Sequence, residues 1–259
     1  MRRAWPALIF QCALLVSTPS HSLSAPWKNA PAFSIASERW NRVDDASNLQ
    51  IYTAPYGESD FSAFKAHALL NQPLASVLAV ISDPSSCPGW VDGCLDSGNL
   101  EVDNFNKRVA YALNALPWPF KNREVIVNIQ TESDSQTGEI VISMFTQTSL
   151  NERIPLLRDD TVRIEHSHAQ YLLRKRDAVT TELIWMQHTE PSGILPAWLV
   201  NSLIIDLPKN SIRQLETLAG ESRYQDATIH YEEGAVSGLS LESGELLNEN
   251  ITRRETDRF

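Results

Sequence analysis

The chain has 259 residues, 42% of them hydrophobic and 21% charged, the proportions of a globular protein with room for one large domain or two small ones. Its formal net charge is −10 and it carries no stripe of Lys or Arg, the residues that supply affinity for phosphate backbones. That balance argues against nucleic acid as a partner and against lasting adhesion to an anionic membrane, while leaving brief membrane contact open.

The first residues have a secretory pattern. Arg2 and Arg3 are positive, residues 5–16 form a short apolar stretch, and residues 17–25 are small and polar. The expectation is a signal peptide over 1–24, cut after Ser22 or Ser24 because Pro26 hinders cleavage after Ala25. The protein would then cross the inner membrane and, in a Gram-negative source, reside in the periplasm. The apolar stretch is shorter than the ~20 residues that span a bilayer, and no later segment is long and apolar enough. Residues 25–36 read as a linker. Loss of the signal removes Cys12 and leaves Cys87 and Cys94, with Pro88, Gly89 and Gly93 between them. In an oxidising compartment that spacing favours a loop-closing disulfide. The competing readings are two free thiols or part of a metal or redox site. Two ligands do not make a zinc site, and Cys-x-x-Cys is absent.

Beyond the linker, a short amphipathic helix is predicted over 37–46, with Trp40 and Val43 on one side. Strands follow over 49–53 and 61–70, joined at Pro55-Tyr56-Gly57. Pro73 opens a helix whose Leu74, Val77, Leu78 and Ile81 follow the helical period, and Asp83-Pro84 ends it. A loop carries Cys87, Trp90 and Cys94. Strands then pair over 98–103 with 107–113, and over 122–131 with 139–148. A final meander runs through 160–167, 169–175 and 180–189. Short sequential strands with turn signals imply a mainly antiparallel sheet. Pro191-Ser192-Gly193 stops it. A long helix starts near Leu195-Pro196 and continues through Ile212, Leu215 and Leu218, with a kink expected at Pro208. Its front half is apolar nearly all round, so it is expected to be buried on several sides or to line something apolar. Residues 223–259 are polar, acidic and aperiodic, and read as a flexible tail.

The most informative segment is Pro117-Trp118-Pro119-Phe120-Lys121-Asn122-Arg123-Glu124. Two prolines around a tryptophan form a rigid extended lead-in, and an adjacent Arg–Glu pair stands at the mouth of an apolar strand, where charge must be partnered. The segment resembles the Pro-Trp-Pro…Arg-Asp signature of the START (StAR-related lipid-transfer) domain family. Trp40, Lys65-Ala66, the Trp90…Cys94 loop and Val162-Arg163-Ile164 resemble further family positions. Residues 191–201 resemble Pro-Gly-Gly-x-x-Pro-x-Trp-x-x-Asn. The departures are Glu124 for Asp and Ser192 for Gly. The resemblance covers roughly 37–220 and places a START-like domain at 37–222. It implies an α+β helix-grip fold, in which a curved antiparallel sheet wraps a long C-terminal helix and leaves a hydrophobic tunnel.

On that fold one strand face carries Val125 and Val127, another carries Met144, and Trp185 lies on the last strand with His188 on its other face. Trp198, Leu199 and Leu203 of the helix would close the tunnel. These residues form a lipid-tail wall or a filled core, which look alike in sequence. Arg123, beside Glu124, would orient a polar head group or hold a structural ion pair. Arg163 has the same two readings, with Asp159, Asp160 and Glu165 as partners. His166, His168 and His188 form an incomplete zinc pattern. No nucleophile elbow or phosphate-cradling loop is present, and no cofactor is implied. The expected function is binding, and possible transfer, of a hydrophobic small molecule such as a lipid or sterol. The alternatives are a cyclase- or aromatase-like enzyme using His188, Glu124 or Tyr111, and an interaction module with a filled core. Oligomeric state is not legible.

Overall fold

Strands form here where apolar side chains recur at every second residue. In β3 (Ala63–Leu70), Phe64, Ala66, Ala68 and Leu70 are buried while Lys65, His67 and Leu69 point the other way. β10 (Thr181–Glu190) is apolar on both faces, and it occupies the middle of the sheet. The computed structural model describes residues 39–241, apart from 47, 135 and 157. The expected signal peptide and linker, and the tail beyond residue 241, lie outside the described residues.

The remaining strands of the main sheet are β1 (Asn41–Ala46), β2 (Leu49–Ala54), β4 (Cys94–Asn104), β5 (Lys107–Asn114), β6 (Asn122–Ser133), β7 (Ile140–Phe145), β8 (Thr161–Ile164) and β9 (His166–Lys175). Their order is β1-β2-β3-β10-β9-β7-β6-β5-β4, antiparallel throughout that path. α1 (Leu74–Ser82) and the long α4 (Ala197–Ala219) share one core with the sheet, where Val77 and Leu78 join Ile212, Leu215, Leu173 and Leu183. The architecture is therefore α+β, an antiparallel sheet gripping a long C-terminal helix. Cys87 and Cys94 form a disulfide, closing the loop that contains α2 (Cys87–Trp90). Among the described residues no helix is long and apolar enough to cross a membrane.

Two local expectations need correction. Residues 41–46 are not helical; they form the exposed strand β1, which pairs along β2 from Asn41↔Thr53 to Ala46↔Leu49. Pairing with a preformed neighbour overrides a weak helical period. β8 does not join a meander with β9. It runs parallel to the first residues of β6, while β7 takes the second half of that strand, and the six-residue helix α3 (Thr148–Arg153) makes the connection. As expected, the long helix runs on past Pro208.

The largest correction concerns the tail. Residues 223–241 are structured. α5 (Ser222–Gln225) presents a fully buried Tyr224, and β11 (Thr228–Glu232) and β12 (Ala235–Ser240) form a hairpin. Its two-residue turn has positive φ at Glu233 (51°) and Gly234 (83°), the twist a tight hairpin requires. Val236 and Leu239 enter the main core. Asn106 donates to the Val236 carbonyl (2.7 Å), and Ser133 Oγ accepts from the Val236 N–H (2.8 Å). Few apolar residues in a polar stretch suffice, because the existing core supplies their partners. Leu239→Ala is expected to cost about 2–5 kcal/mol in urea unfolding. A loss below about 0.5 kcal/mol, the range of surface changes, would show that the hairpin adds nothing to the core.

Candidate ligand-binding cavity

Successive strand residues face opposite sides of the sheet, and the side facing α4 bounds a cavity of about 650 Å³. The period of two is visible in its walls. Val125, Val127 and Ile129 come from β6, Ala169 and Tyr171 from β9, and Trp185, Gln187 and Thr189 from β10. The front of α4 contributes Val200, Leu203, Ile204 and Leu207, one helical face. One wall is aromatic. Trp185 lies 5.1 Å from Phe64, 5.2 Å from Tyr171 and 6.1 Å from Trp90, ring centre to ring centre, in tilted and edge-on arrangements. Both indole N–H groups are satisfied, Trp90 by Ser86 Oγ (3.1 Å) and Trp185 by Gln187 Oε1 (3.2 Å). Gly98 is required where Tyr111 lies across β4, since a Cβ there would sit 2.7 Å from the Tyr111 ring.

Of the residues singled out in the sequence, Val125, Val127, Met144, Trp185 and Leu203 line this cavity. Arg123 also borders it, and each nitrogen of its guanidinium donates to a backbone carbonyl. Nε donates to the Pro191 carbonyl (2.6 Å), Nη1 to Lys121 (2.6 Å) and Nη2 to Ser192 (2.9 Å). It bridges two chain segments through their backbone carbonyls. Glu124 faces away from the cavity and is buried against Arg163, whose Nε donates to Oε1 at 2.7 Å; Thr161 Oγ1 donates to Oε2 at 3.1 Å. Arg163 also donates to the carbonyls of Ile154 (3.2 Å) and Pro155 (2.8 Å). The expected surface partners of Arg163 are thus replaced by one buried carboxylate.

His188 lies on the opposite face of β10, stacked on Tyr56 with ring centres 3.9 Å apart. Ser59 Oγ (3.3 Å) and Glu190 Oε1 (3.4 Å) both approach its Nε2. A catalytic triad needs its acid and its hydroxyl on different ring nitrogens, so this is not one. Burial lowers the pKa of His188, and that of its cross-strand partner His168. Among the described residues no three His, Cys, Asp or Glu side chains gather as a metal site. Trp198 is 73% exposed and does not line the cavity, nor does Leu199. The front of α4 is therefore one apolar face on the cavity and one apolar face on solvent, not a buried rod.

The sequence reading missed Arg108, Asn99 and Ser82, which border the cavity at the end away from Arg123. Arg108 Nη1 donates to the Ser82 carbonyl (2.9 Å), and burial pulls its pKa down to about 10, so it is charged at neutral pH. The signal was present: Arg108, Ala110 and Ala112 alternate on one face of β5, an arginine followed by side chains too small to fill the space.

The START domain profile matches residues 33–207, over half of the chain. This protein belongs to the START domain family. The crystal structure of a StAR-related lipid transfer protein from Xanthomonas axonopodis superposes with a TM-score of 0.63 at 23% identity, covering 71% of this chain and all of that fragment. Human STARD10 gives a TM-score of 0.62 at 19% identity over 71% of this chain and 74% of its own. An uncharacterized protein of Pseudomonas aeruginosa is 23% identical over 182 residues, 70% of this chain and 87% of that one. Within this START domain Glu124 and Arg163 form a buried ion pair. Arg163→Met leaves a buried carboxylate without its cation and is expected to cost about 3–5 kcal/mol in chemical unfolding. A cost near zero would show that Glu124 finds water or another donor.

Proposed function

We propose that this START domain binds a lipid or sterol-like molecule in its cavity and carries it shielded from water. One observation carries the reading. Protein interiors are close-packed, yet here some 650 Å³ stays open between the sheet and α4, bounded mainly by apolar side chains. That volume is in the range of small-ligand sites, roughly 300–1,000 Å³. A filled-core module has no reason to keep it. Burial contributes about 25 cal/mol per Å² of apolar ligand surface, so a lipid can be held without covalent chemistry. The reading is non-enzymatic. His188 and Glu124 lie outside the cavity, and Tyr111, which borders it, shares its hydroxyl with Asp96 at 3.2 Å. Export to an oxidising compartment, the periplasm in a Gram-negative source, is supported by the N-terminal pattern and by the disulfide.

Exchange would be by transient membrane contact through apolar tips at the Arg123 end. Trp118 is 91% exposed, Ile194 96% and Trp198 73%. Arg123 joins the segments that bear them, since it holds Lys121 beside Trp118 and Pro191 and Ser192 beside Ile194. Leu116, Pro117 and Pro191 border the cavity at the same end. Tips of this kind insert by apolar burial, which suits a protein of net charge −10.

Native mass spectrometry of protein purified from its own host without detergent is expected to show one stoichiometric extra mass that extracts as a single lipid class. A clean apo mass with no uptake from host lipid extract overturns carriage. A Trp118→Ser, Trp198→Ser double variant is expected to retain bound lipid but transfer it to neutral phosphatidylcholine vesicles at least about tenfold more slowly. Unchanged transfer would place the contact elsewhere.

A further inference from the structure

Buried polar groups in folded proteins are almost always hydrogen-bonded, and those that are not call for an explanation. At the end of the cavity away from the Trp118 tip, three are not. Arg108 is 7% exposed and its Nε has no partner; Asn99 is 5% exposed and neither amide atom has one; Ser82 is 1% exposed and its Oγ has none. All three residues border the cavity. They come from three elements, β5, β4 and the end of α1, so no single local distortion accounts for them.

They also converge. Asn99 is the register partner of Ala110, and Arg108 shares the face of Ala110 on β5, which makes Asn99 and Arg108 diagonal neighbours on one surface. A bulge between Asn99 and Glu101 breaks the register beside Asn99, a device that re-aims side chains. Ser82 is brought to Arg108 by its own carbonyl, which accepts from Nη1. Among the described residues no carboxylate pairs with Arg108. Asp83, next to Ser82 and itself bordering the cavity, is taken. Its Oδ1 accepts from the N–H (2.9 Å) and Oγ (2.6 Å) of Ser85, and its Oδ2 accepts from Arg223 and from Tyr224 (2.8 Å). The guanidinium also lies against the Phe105 ring, 5.7 Å from Cζ.

A buried cation without a counter-ion is costly, and a neutral ligand would leave that cost in place. We propose that Arg108, Asn99 and Ser82 form the receptor for one monoanionic head group, a carboxylate, on an apolar ligand that enters the cavity head first. This rests on the cavity being a ligand site. The planar guanidinium fork matches a carboxylate, the Asn99 amide and the Ser82 hydroxyl supply further donors, and one positive charge meets one negative. Arg108 stands six residues along β5 from Asn114, the partner of Arg123, so about 20 Å separates the head-group receptor from the clamp at the other end. The tail of the ligand then runs along the Val125–Val127–Ile129 wall and the aromatic cluster toward the exposed tips.

The test is competition between hexadecanoate, hexadecan-1-ol and hexadecyl phosphate for the delipidated protein, read by native mass spectrometry. The expected result is hexadecanoate favoured at least tenfold over the alcohol, with that preference lost in Arg108→Gln while the alcohol still binds. Asn99→Leu, which keeps the cation, should lower hexadecanoate binding and spare the alcohol, so the outcome does not hang on the folding of one variant. Equal binding of acid and alcohol, or a preference that survives both variants, overturns the head-group receptor but leaves the cavity as a lipid site. Stronger binding of hexadecyl phosphate overturns the choice of carboxylate. If none of the three probes binds and host lipid extract is also refused, the carrier reading itself fails and takes this proposal with it.

Discussion

Neighbouring residues of a strand must point to opposite faces, and at Arg123–Glu124 this constraint organises one whole end of the molecule. Arg123 turns toward the cavity and closes on three backbone carbonyls, one from nearby Lys121 and two from the distant Pro191–Ser192 segment. Glu124 turns outward and is buried against Arg163 and Thr161. Arg163 in turn holds the carbonyls of Ile154 and Pro155. Three loops that have no regular pairing of their own are thus fixed by two arginines, every nitrogen of which has a partner. Buried guanidinium groups suit this work, because one side chain can satisfy several otherwise orphaned carbonyls at fixed angles.

The other end of the cavity depends on a different balance. Asp83 ends α1 and is buried, and its charge is answered by Arg223 and the Tyr224 hydroxyl of the C-terminal segment. That arrangement engages Asp83, which borders the cavity together with Arg108, with other partners. The C-terminal hairpin has a similar reach: it fastens to the β4–β5 turn through Asn106 and buries Val236 against the same core that contains Phe105. The segment after α4 therefore shapes the polar end of the cavity without lining it. The two ends differ in kind, one a clamp in which each arginine nitrogen has a partner, the other a set of donors left open.

Much of this was legible beforehand for a physical reason. The period of two in β3, β5, β6 and β10 and the period of 3.6 in α1 are local properties of sequence, and both survived folding. The pairing of Cys87 with Cys94 followed from short-range geometry. Side chains assigned to the cavity from alternation alone, such as Val125, Val127 and Trp185, do face it. What failed was less local. The segment around Trp40 is weakly amphipathic either as helix or as strand, and only its pairing with β2 settles which. The C-terminal hairpin has too few apolar residues to announce itself, because its core was built by other elements.

The sequence by itself determined most of the elements between residues 49 and 219, their order, and which residues of each strand share a face, since these depend on neighbours within a few positions. Tertiary structure alone decided the role of each charge. Arg123, Arg163 and Arg108 are indistinguishable as residues, yet one clamps backbone, one answers a buried acid and one is left facing the cavity. Their partners lie 68, 39 and 26 positions away in the chain. The cost of burying a charge depends on everything packed around it, and that surrounding exists only once distant elements have met.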